Sequence, residues 1–157
     1  MIVGTRPATS ADLAVVAEMA EAAIGELRLL RGGEVWANSD GRTTPVRTGL
    51  ESELADPNAE IFVGTIDDAP VGYAAVHERA LHDASAMARI TDLYVIPAAR
   101  RVGVGESLIL AIEAWARRRA LVGLDSLALP GDRDTKNFFE TFGLVARALE
   151  VHRRLDG

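Results

Sequence analysis

The chain has 157 residues, a formal net charge of −6 and no cysteine. This length fits one compact domain spanning residues 1–157, with a sizeable core. The lack of cysteine excludes disulfides, thiolate catalysis and Cys-ligated metal sites, and without a secretory signal pattern it makes the cytoplasm the expected location. The moderate acidity argues against a nucleic-acid binder, and no apolar run is long enough to cross a membrane.

The first third of the chain predicts a strand and two helices. Residues 3–8 are typical of a strand, and apolar residues at helical spacing follow from residue 11 to a glycine pair at 32–33. Residues 34–44 have the composition of a loop. Trp36 in it either fills a hydrophobic gap, which we favour, or lines a pocket for an acceptor substrate. Proline at position 45 indicates the start of a second helix.

The rest of the chain alternates between strands and helices. We predict a hairpin from residues 61–66 and 71–78, a polar loop after it, a central strand over 88–96 and a helix over 105–120. A buried strand at 126–129, a helix over 134–142 and final strands within 144–155 complete the pattern. The order predicts an α/β (α+β) fold: a mixed sheet of about six to seven strands, with helices on both faces.

The segment from Ile90 to Leu110 is the most informative, because a strand leads through a glycine-bearing turn into a helix. The turn contains Arg100-x-x-Gly103-x-Gly105. Free N–H groups and the positive end of the helix dipole suit this position to a phosphate. A Walker A loop is excluded because no Gly-Lys-Ser/Thr follows, and the Rossmann fingerprint lacks its third glycine.

The wider pattern L-Y-V-x-P-x-x-R-x-x-G-x-G, residues 93–105, resembles the acyl-CoA signature of the GCN5-related N-acetyltransferases (GNAT). The predicted element order is similar to that fold across nearly the whole chain. The resemblance implies a β-bulge in the central strand and a V-shaped cleft after the fourth strand. It implies that main-chain groups of Leu93, Tyr94 and Val95 bind the pantetheine arm of acetyl-CoA. The residues expected to bind its pyrophosphate are Arg100, Arg101, Val102, Gly103, Val104, Gly105 and Glu106.

A second block, residues 131–144, resembles the family's N-x-x-A-x-x-F-Y-E-x-x-G-F segment with two departures. Asp132 stands where asparagine is common, and is expected to cap the helix or to bond the pantetheine arm. Phe139 stands where many members have a tyrosine that protonates the leaving CoA thiolate. Phenylalanine has no O–H group and cannot act as that acid, so Phe139 is expected only to line the cofactor site.

The proton acceptor for the amine is less clearly indicated. The strand carries Thr91-Asp92, so Asp92 is the candidate base, and a polar residue satisfied by nearby backbone is an equal alternative. His77 and Glu78 on the neighbouring strand are further acceptor-side candidates. No cluster of histidines and carboxylates has metal-ligand spacing, so no metal is expected.

Together these features predict an N-acetyltransferase that transfers an acetyl group from acetyl-CoA, its cosubstrate, to a primary amine of a small molecule or peptide by direct attack. Two rivals remain. The first is a catalytically weak acyl-CoA-binding sensor or regulatory protein of the same fold, and the second is a nucleotide-binding domain that uses the glycine turn for another phosphate ligand. The resemblance is also compatible with a homodimer, and no partner nucleic acid or membrane is expected.

Overall fold

The computed structural model describes residues 1–156. They contain one open sheet of five strands. The strands lie in the order β1-β2-β3-β4-β5, and only the last pair is parallel. Their bounds are β1 Val3–Pro7, β2 Ala59–Ile66, β3 Ala69–Ala80, β4 Ala86–Val95 and β5 Leu124–Asp125. The predicted mixed α/β class is confirmed, and the count of six to seven strands is wrong by one or two.

Within residues 1–156, five α-helices accompany the sheet, besides two short 3₁₀ turns. They are α1 Leu13–Arg28, α2 Gly33–Ser39, α3 Val46–Ala55, α4 Val104–Arg118 and α5 Arg133–Thr141. Two buried clusters hold the layers together: α1 and α3 pack on one face, and α4 with α5 on the other. Successive side chains of a strand point to opposite faces of the sheet, so β2 contributes to both clusters. Phe62 faces α4, while its neighbours Ile61 and Val63 face α1 and α3. The expectation of helices on both faces is therefore confirmed.

Three local predictions are wrong, each for a physical reason. The stretch predicted as a loop contains α2, a helix of only seven residues that is too short to show a clear apolar period. The strand predicted at 126–129 lies earlier, at Leu124–Asp125, because the chain leaves the edge of β4 after Asp125. Residues 144–156 alternate like a strand but form none, because no neighbouring strand pairs with them within the described part of the chain.

Candidate active site

Strand β4 carries a bulge and then separates from β5. Ala75 pairs with Asp92 and Val76 with Ile90, so Thr91 is the extra residue that bends β4. On its other edge β4 pairs with β5 only at Ala88 and Arg89. From the bulge onward, no strand among residues 1–156 lies beside this edge, which produces the V-shaped opening that the resemblance implied.

The unpaired edge presents a specific set of main-chain groups. The N–H of Ile96 donates to the carbonyl of Val71 on β3 at 2.9 Å. Successive residues of a strand point their backbone N–H and C=O groups to opposite edges. The backbone groups of Tyr94 therefore also face β3, while those of Leu93 and Val95 face the opening. The carbonyl of Val95 accepts from Nε of Arg100 at 2.8 Å. Among residues 1–156, the N–H groups of Leu93 and Val95 and the carbonyl of Leu93 remain without a partner.

Helix α4 begins at the mouth of this opening. Gly103 precedes it with φ +100°, a conformation that L side chains rarely adopt. Gly105 lies under the ring of Phe138, where a Cβ would come within 3.2 Å of the ring. The first-turn amides, those of Val104, Gly105 and Glu106, point along the axis with no capping side chain, so they can receive an anion.

The two arginines of the turn have different surroundings. Nη2 of Arg100 donates to Oε2 of Glu26 on α1 at 2.8 Å, and its guanidinium lies over the ring of Tyr94. Arg100 is therefore already bound to neighbouring groups. Arg101, exposed and at φ +67°, forms no ion pair within the described chain. Of the two, Arg101 is the cation available to a phosphate.

The remaining predicted cofactor residues lie as follows. Asp132 caps α5 by accepting from the N–H of Thr135 at 3.3 Å, which is one of its two expected roles. Phe139 is buried in the cluster below α4 and also lines the opening. Val102 and Glu106 are exposed at the turn, whereas the side chain of Val104 is buried.

One continuous cleft of about 1240 Å³ connects these groups to the α1–α3 side of the sheet. It runs from the first turn of α4 and from α5, along the unpaired edge of β4, to α1 and α2. Trp36 of α2 is half-buried and lines this cleft, and it belongs to neither core cluster. The first turn of α4, the unpaired edge of β4 and residues of α1 and α2 thus line one shared space.

At the end opposite the turn lies a group of five side chains, here called the polar cluster: Arg42, Glu53, Tyr73, His77 and Asp92. Arg42 is its centre. Its Nε and Nη2 donate to the two carboxylate oxygens of Asp92 at 2.7 and 2.9 Å. Nη2 also donates to Oε1 of Glu53 at 2.8 Å, and Nη1 to Oε2. The three charged side chains are only 12–13% exposed, so each ion depends on the others for compensation.

The Asp92 carboxylate is surrounded by donors. Besides Arg42, it accepts from the hydroxyl of Tyr73 at 2.5 Å and from Oγ1 of Thr91 at 2.7 Å. Burial raises the pKa of Tyr73 well above its usual value, and the adjacent Asp92 charge adds to the effect, so the phenol stays protonated as a donor. These contacts tie Asp92 into the cluster; its role as the base stays a prediction.

His77 is the most accessible titratable member of the polar cluster, with about a third (32%) of its side chain exposed. Its Nε2 lies 3.0 Å from Oε1 of Glu53. This hydrogen bond raises the pKa of His77, against the lowering effect of partial burial. Burial also acts to raise the pKa of Glu53, but hydrogen bonds from Arg42 and His77 outweigh it and lower that pKa to about 2.

Sequence reasoning identified Asp92 and His77 as candidates but missed Arg42, Glu53 and Tyr73. Arg42 lies in a connection without a motif. Glu53 is not distinguishable in the sequence from the other charged residues of a predicted surface helix. No signal in the sequence marks them, because the contacts join positions up to 50 residues apart. Of the remaining candidates, Glu78 lies away from the cluster and pairs with Arg119 at 2.9 Å.

Within residues 1–156 no helix has the length and apolarity needed to traverse a lipid bilayer. In the same part of the chain, no three His, Asp or Glu side chains are placed to hold a metal ion.

Comparison with protein families gives one match that spans most of the chain. The model of the acetyltransferase (GNAT) family matches residues 22–144. The chain belongs to the GNAT family. No curated protein sequence matches it. The resemblance inferred from the sequence motifs is thereby confirmed for the family.

Several solved structures share the fold of this GNAT domain at low sequence identity. A ribosomal-protein-alanine N-acetyltransferase from Brucella melitensis has a TM-score of 0.73 at 17% identity, covering 99% of this chain and 100% of that one. AAC(6')-Iy, in complex with a bisubstrate analog, has a TM-score of 0.72 at 18% identity, and the match covers 98% of each chain. A protein from Bacillus halodurans that is named as a transcriptional regulator has a TM-score of 0.75 at 20% identity. The match covers 98% of this chain and 100% of that one. At these identities the likeness concerns the fold alone.

Proposed function

We propose that the protein is an acetyl-CoA-dependent N-acetyltransferase that acts on a primary amine of a small molecule or peptide. The observation that carries the proposal is the unpaired edge of β4, which opens into the same cleft as the first turn of α4. This arrangement offers an amide ladder and an anion site side by side. A pantetheine arm ending in a pyrophosphate needs both.

The donor side fits acetyl-CoA through main-chain groups. The free N–H and C=O of Leu93 and the N–H of Val95 suit the amides of a pantetheine arm, which would add to the sheet like a strand. The first turn of α4 suits the pyrophosphate, with Arg101 as the added positive charge. Arg100 then has a positioning role, because it holds the turn to Glu26 and to the carbonyl of Val95.

The acceptor side favours a cationic amine. The polar cluster contains two carboxylates and one guanidinium, so with neutral His77 its net charge is −1 by counting Glu53, Asp92 and Arg42. Glu26 and Asp40 line the same cleft. An ammonium group is attracted by such a site before it loses its proton. The solved structure of AAC(6')-Iy with a bisubstrate analog is consistent with an amine acceptor in this fold.

In the proposed reaction, the neutral amine nitrogen attacks the thioester carbonyl, the C–N bond forms, the C–S bond breaks and CoA leaves as its thiolate, which then takes up a proton from solvent. The amine must lose one proton, and we assign its acceptance to the neutral imidazole of His77, directly or through one water. Glu53 orients the ring and stabilises the imidazolium that results. Asp92 holds Arg42 and Tyr73, which shape the wall of the cleft. Placing both substrates in one cleft supplies much of the rate.

The test is release of free thiol from acetyl-CoA across a panel of amines. The panel contains an aminoglycoside, a polyamine, a free amino acid and a peptide with an N-terminal alanine. We expect turnover above the hydrolysis background with at least one cationic amine, and loss of that turnover by at least a hundredfold in His77→Gln. His82→Gln, in the loop after β3, is the matched control and should keep wild-type rates.

A second candidate, an acyl-CoA-binding protein without efficient catalysis, is favoured by one observation. Phe139 is buried in the site, at 7% exposure, where the resemblance places a proton-donating tyrosine. A solved structure with the same fold is named as a transcriptional regulator. Binding of acetyl-CoA in a calorimeter without thiol release on any amine would support this candidate over the first. Preference for ATP or NAD over CoA would exclude both.

A further inference from the structure

Arginines line the cleft at both of its ends, and two of them have no carboxylate partner. Arg42 and Arg100 are bound to carboxylates. Arg101 stands at the first turn of α4, where the proposed function already uses its charge. The other is Arg89 of β4, whose half-buried side chain forms neither a hydrogen bond nor an ion pair within residues 1–156. Its guanidinium has no role in the site described so far.

The strand register places Arg89 on the same face of the sheet as the polar cluster. Arg89 pairs with His77 of β3. Asp92 pairs with Ala75, two residues before His77. Directly opposite residues of an antiparallel pair project to one face, with Cβ atoms about 5 Å apart. Because Thr91 is the bulged residue, Asp92 and Arg89 are consecutive on this face, about 7 Å apart along the strand.

The acidic neighbour of Arg89 on β5 is already bound to another arginine. Asp125 is the parallel-strand partner of Arg89, and Nε of Arg147 lies 2.9 Å from both of its carboxylate oxygens. Hydrogen bonding from Arg147 lowers the pKa of Asp125, and the charge of Arg89 adds a smaller effect. Within residues 1–156 no fully buried side-chain nitrogen lacks a partner, so the N–H groups of Arg89 are open to the cleft.

We propose that Arg89 binds a carboxylate of the acceptor, so that the substrate is a small amino carboxylate such as a free amino acid. This inference rests on the proposed function, because it takes the reacting amine to lie beside His77. A guanidinium presents two parallel N–H groups that match the two oxygens of a carboxylate. One unpaired cation in this part of the cleft suits a monoanion. A polyamine or an aminoglycoside would instead bring a second ammonium group close to it.

The charges of the two neighbouring groups fit a zwitterion. With neutral His77, the polar cluster carries a net charge of −1, from Glu53 and Asp92 against Arg42, and attracts the ammonium end. Arg89 attracts the carboxylate end from the next position on the same face. Because His77 and Arg89 are direct cross-strand neighbours, the amine and the carboxylate should be only a few bonds apart. Arg89 therefore selects and orients the acceptor and takes no part in proton transfer.

The first test is thiol release from acetyl-CoA with matched pairs of acceptors. Each pair contains an amino carboxylate and its carboxamide, which has a similar shape without the charge. The pairs are built on L-amino acids, β-alanine and 4-aminobutyrate. We expect kcat/KM for the best acid to exceed that for its amide by at least about tenfold, and Arg89→Gln to remove this preference mainly through KM. Turnover that is equal for acids and amides, or that occurs only with polyamines, would overturn the carboxylate site while the proposed acetyltransferase function stands.

Arg79→Gln is the matched control for this test. Arg79 lies on β3 two residues after His77, has no ion pair within the described chain, and does not line the cleft. Its substitution should leave the preference for the acid unchanged. Arg89→Lys keeps the charge but loses the planar fork, so it should retain only part of the preference. Circular dichroism and thermal unfolding verify that each variant is folded. An equal loss in Arg79→Gln would show that general attraction, and not binding by Arg89, selects the acid.

The second test does not require turnover. N-acetylated amino acids, which are the products of the proposed reaction, and the corresponding N-acetylated amides are titrated into the full chain in the presence of CoA and followed by NMR. We expect the acids to bind at least about tenfold more tightly than the amides, and Arg89→Gln to abolish the difference. If this difference is found but no amine is acetylated, the proposed function fails and the carboxylate site stands. If acids and amides bind equally, or neither binds, the carboxylate site is overturned.

Discussion

Nε of Arg42 donates to Oδ2 of Asp92 across 2.7 Å, and this contact joins the connection between α2 and α3 to the bulged part of β4. The same guanidinium also pairs with Glu53 on α3. One arginine therefore holds together three separate segments at the end of the cleft that contains the polar cluster. Its loss would leave two carboxylates close together with little solvent.

From this follows a prediction for stability. Arg42→Gln should lower the free energy of unfolding by roughly 3 kcal/mol, because breaking a buried ion network leaves uncompensated charge. The measurement is urea denaturation at pH 7. Arg47→Gln is the control, since Arg47 pairs with Glu51 on an exposed helix surface where such a pair contributes about 0.5 kcal/mol or less. Equal effects of the two substitutions would show that the network is not compensating buried charge.

The pH dependence of activity tests the assignment of His77. Its pKa is raised above 6.5 by Glu53, so the fraction of neutral imidazole, and with it kcat/KM, should rise as the pH passes through that raised value. Glu53→Gln removes the negative charge and should move the midpoint to lower pH. The same raised pKa stabilises the fold below pH 6.5, and that contribution is lost as the pH rises through the folded-state value.

The control for this profile is His82→Gln, which should leave the midpoint unchanged. If instead Asp92→Asn abolishes turnover while His77→Gln keeps it, Asp92 is the base and the assignment to His77 is wrong. Asp92→Asn also weakens the pairing with Arg42, so thermal unfolding must accompany the kinetic measurement.

The turn before α4 gives a prediction for cofactor binding. Gly103→Val should weaken CoA binding at least tenfold, because the side chain obstructs the approach of a pyrophosphate and strains a backbone with φ +100°. Gly143→Val is the matched control: its φ is +84°, it likewise has open space around its Cβ position, and it lies after α5. Calorimetric titration with CoA should find the control unchanged. Similar losses in both would mean that strain, and not the site, lowers affinity.

These two halves of the site differ in how well they could be predicted. Residues 93–105 are contiguous, and their contribution comes from main-chain geometry, so strand, turn and helix start were recognisable in sequence. The polar cluster consists of side chains from α3, β3, β4 and the connection before α3. Its members can be recognised as one site only from their tertiary contacts. The C-terminal strands were predicted from alternation, but alternation reveals a preference for pairing without indicating where the partner is.

The position of Phe139 allows a gain-of-function prediction. Phe139→Tyr would place a hydroxyl where the family resemblance puts the proton donor for the leaving thiolate. We expect kcat to rise by up to about tenfold with little change in KM, since a thiolate is already a stable leaving group and general acid catalysis adds less than usual. Phe138→Tyr, one residue earlier, should not raise kcat. An unchanged kcat in Phe139→Tyr would show that protonation of the thiolate does not limit turnover.

The start of α1 gives a prediction for acid stability. Arg6 donates two hydrogen bonds to Asp12, at 2.8 and 2.9 Å, and this pairing lowers the pKa of Asp12 to about 2 against the opposing effect of burial. The stabilisation of the fold by the Asp12 carboxylate is fully present above pH 3.8, the pKa of Asp12 in the unfolded chain. This stabilisation is lost as the pH falls toward 2. Asp12→Asn should therefore cost about 2 kcal/mol at pH 7 and almost nothing near pH 2, measured by thermal unfolding. Asp40→Asn, at an exposed position, should show neither effect.

The free edge of β4 also bears on how such a domain changes over evolutionary time. Peptide groups are the same whatever side chains they carry, so a donor site made of them tolerates extensive substitution as long as the bulge and the turn persist. The opposite wall, made of Arg42 and the residues it holds, changes its chemistry with single replacements. Under the proposed function, acceptor preference can therefore diverge rapidly around a thioester site that stays nearly constant.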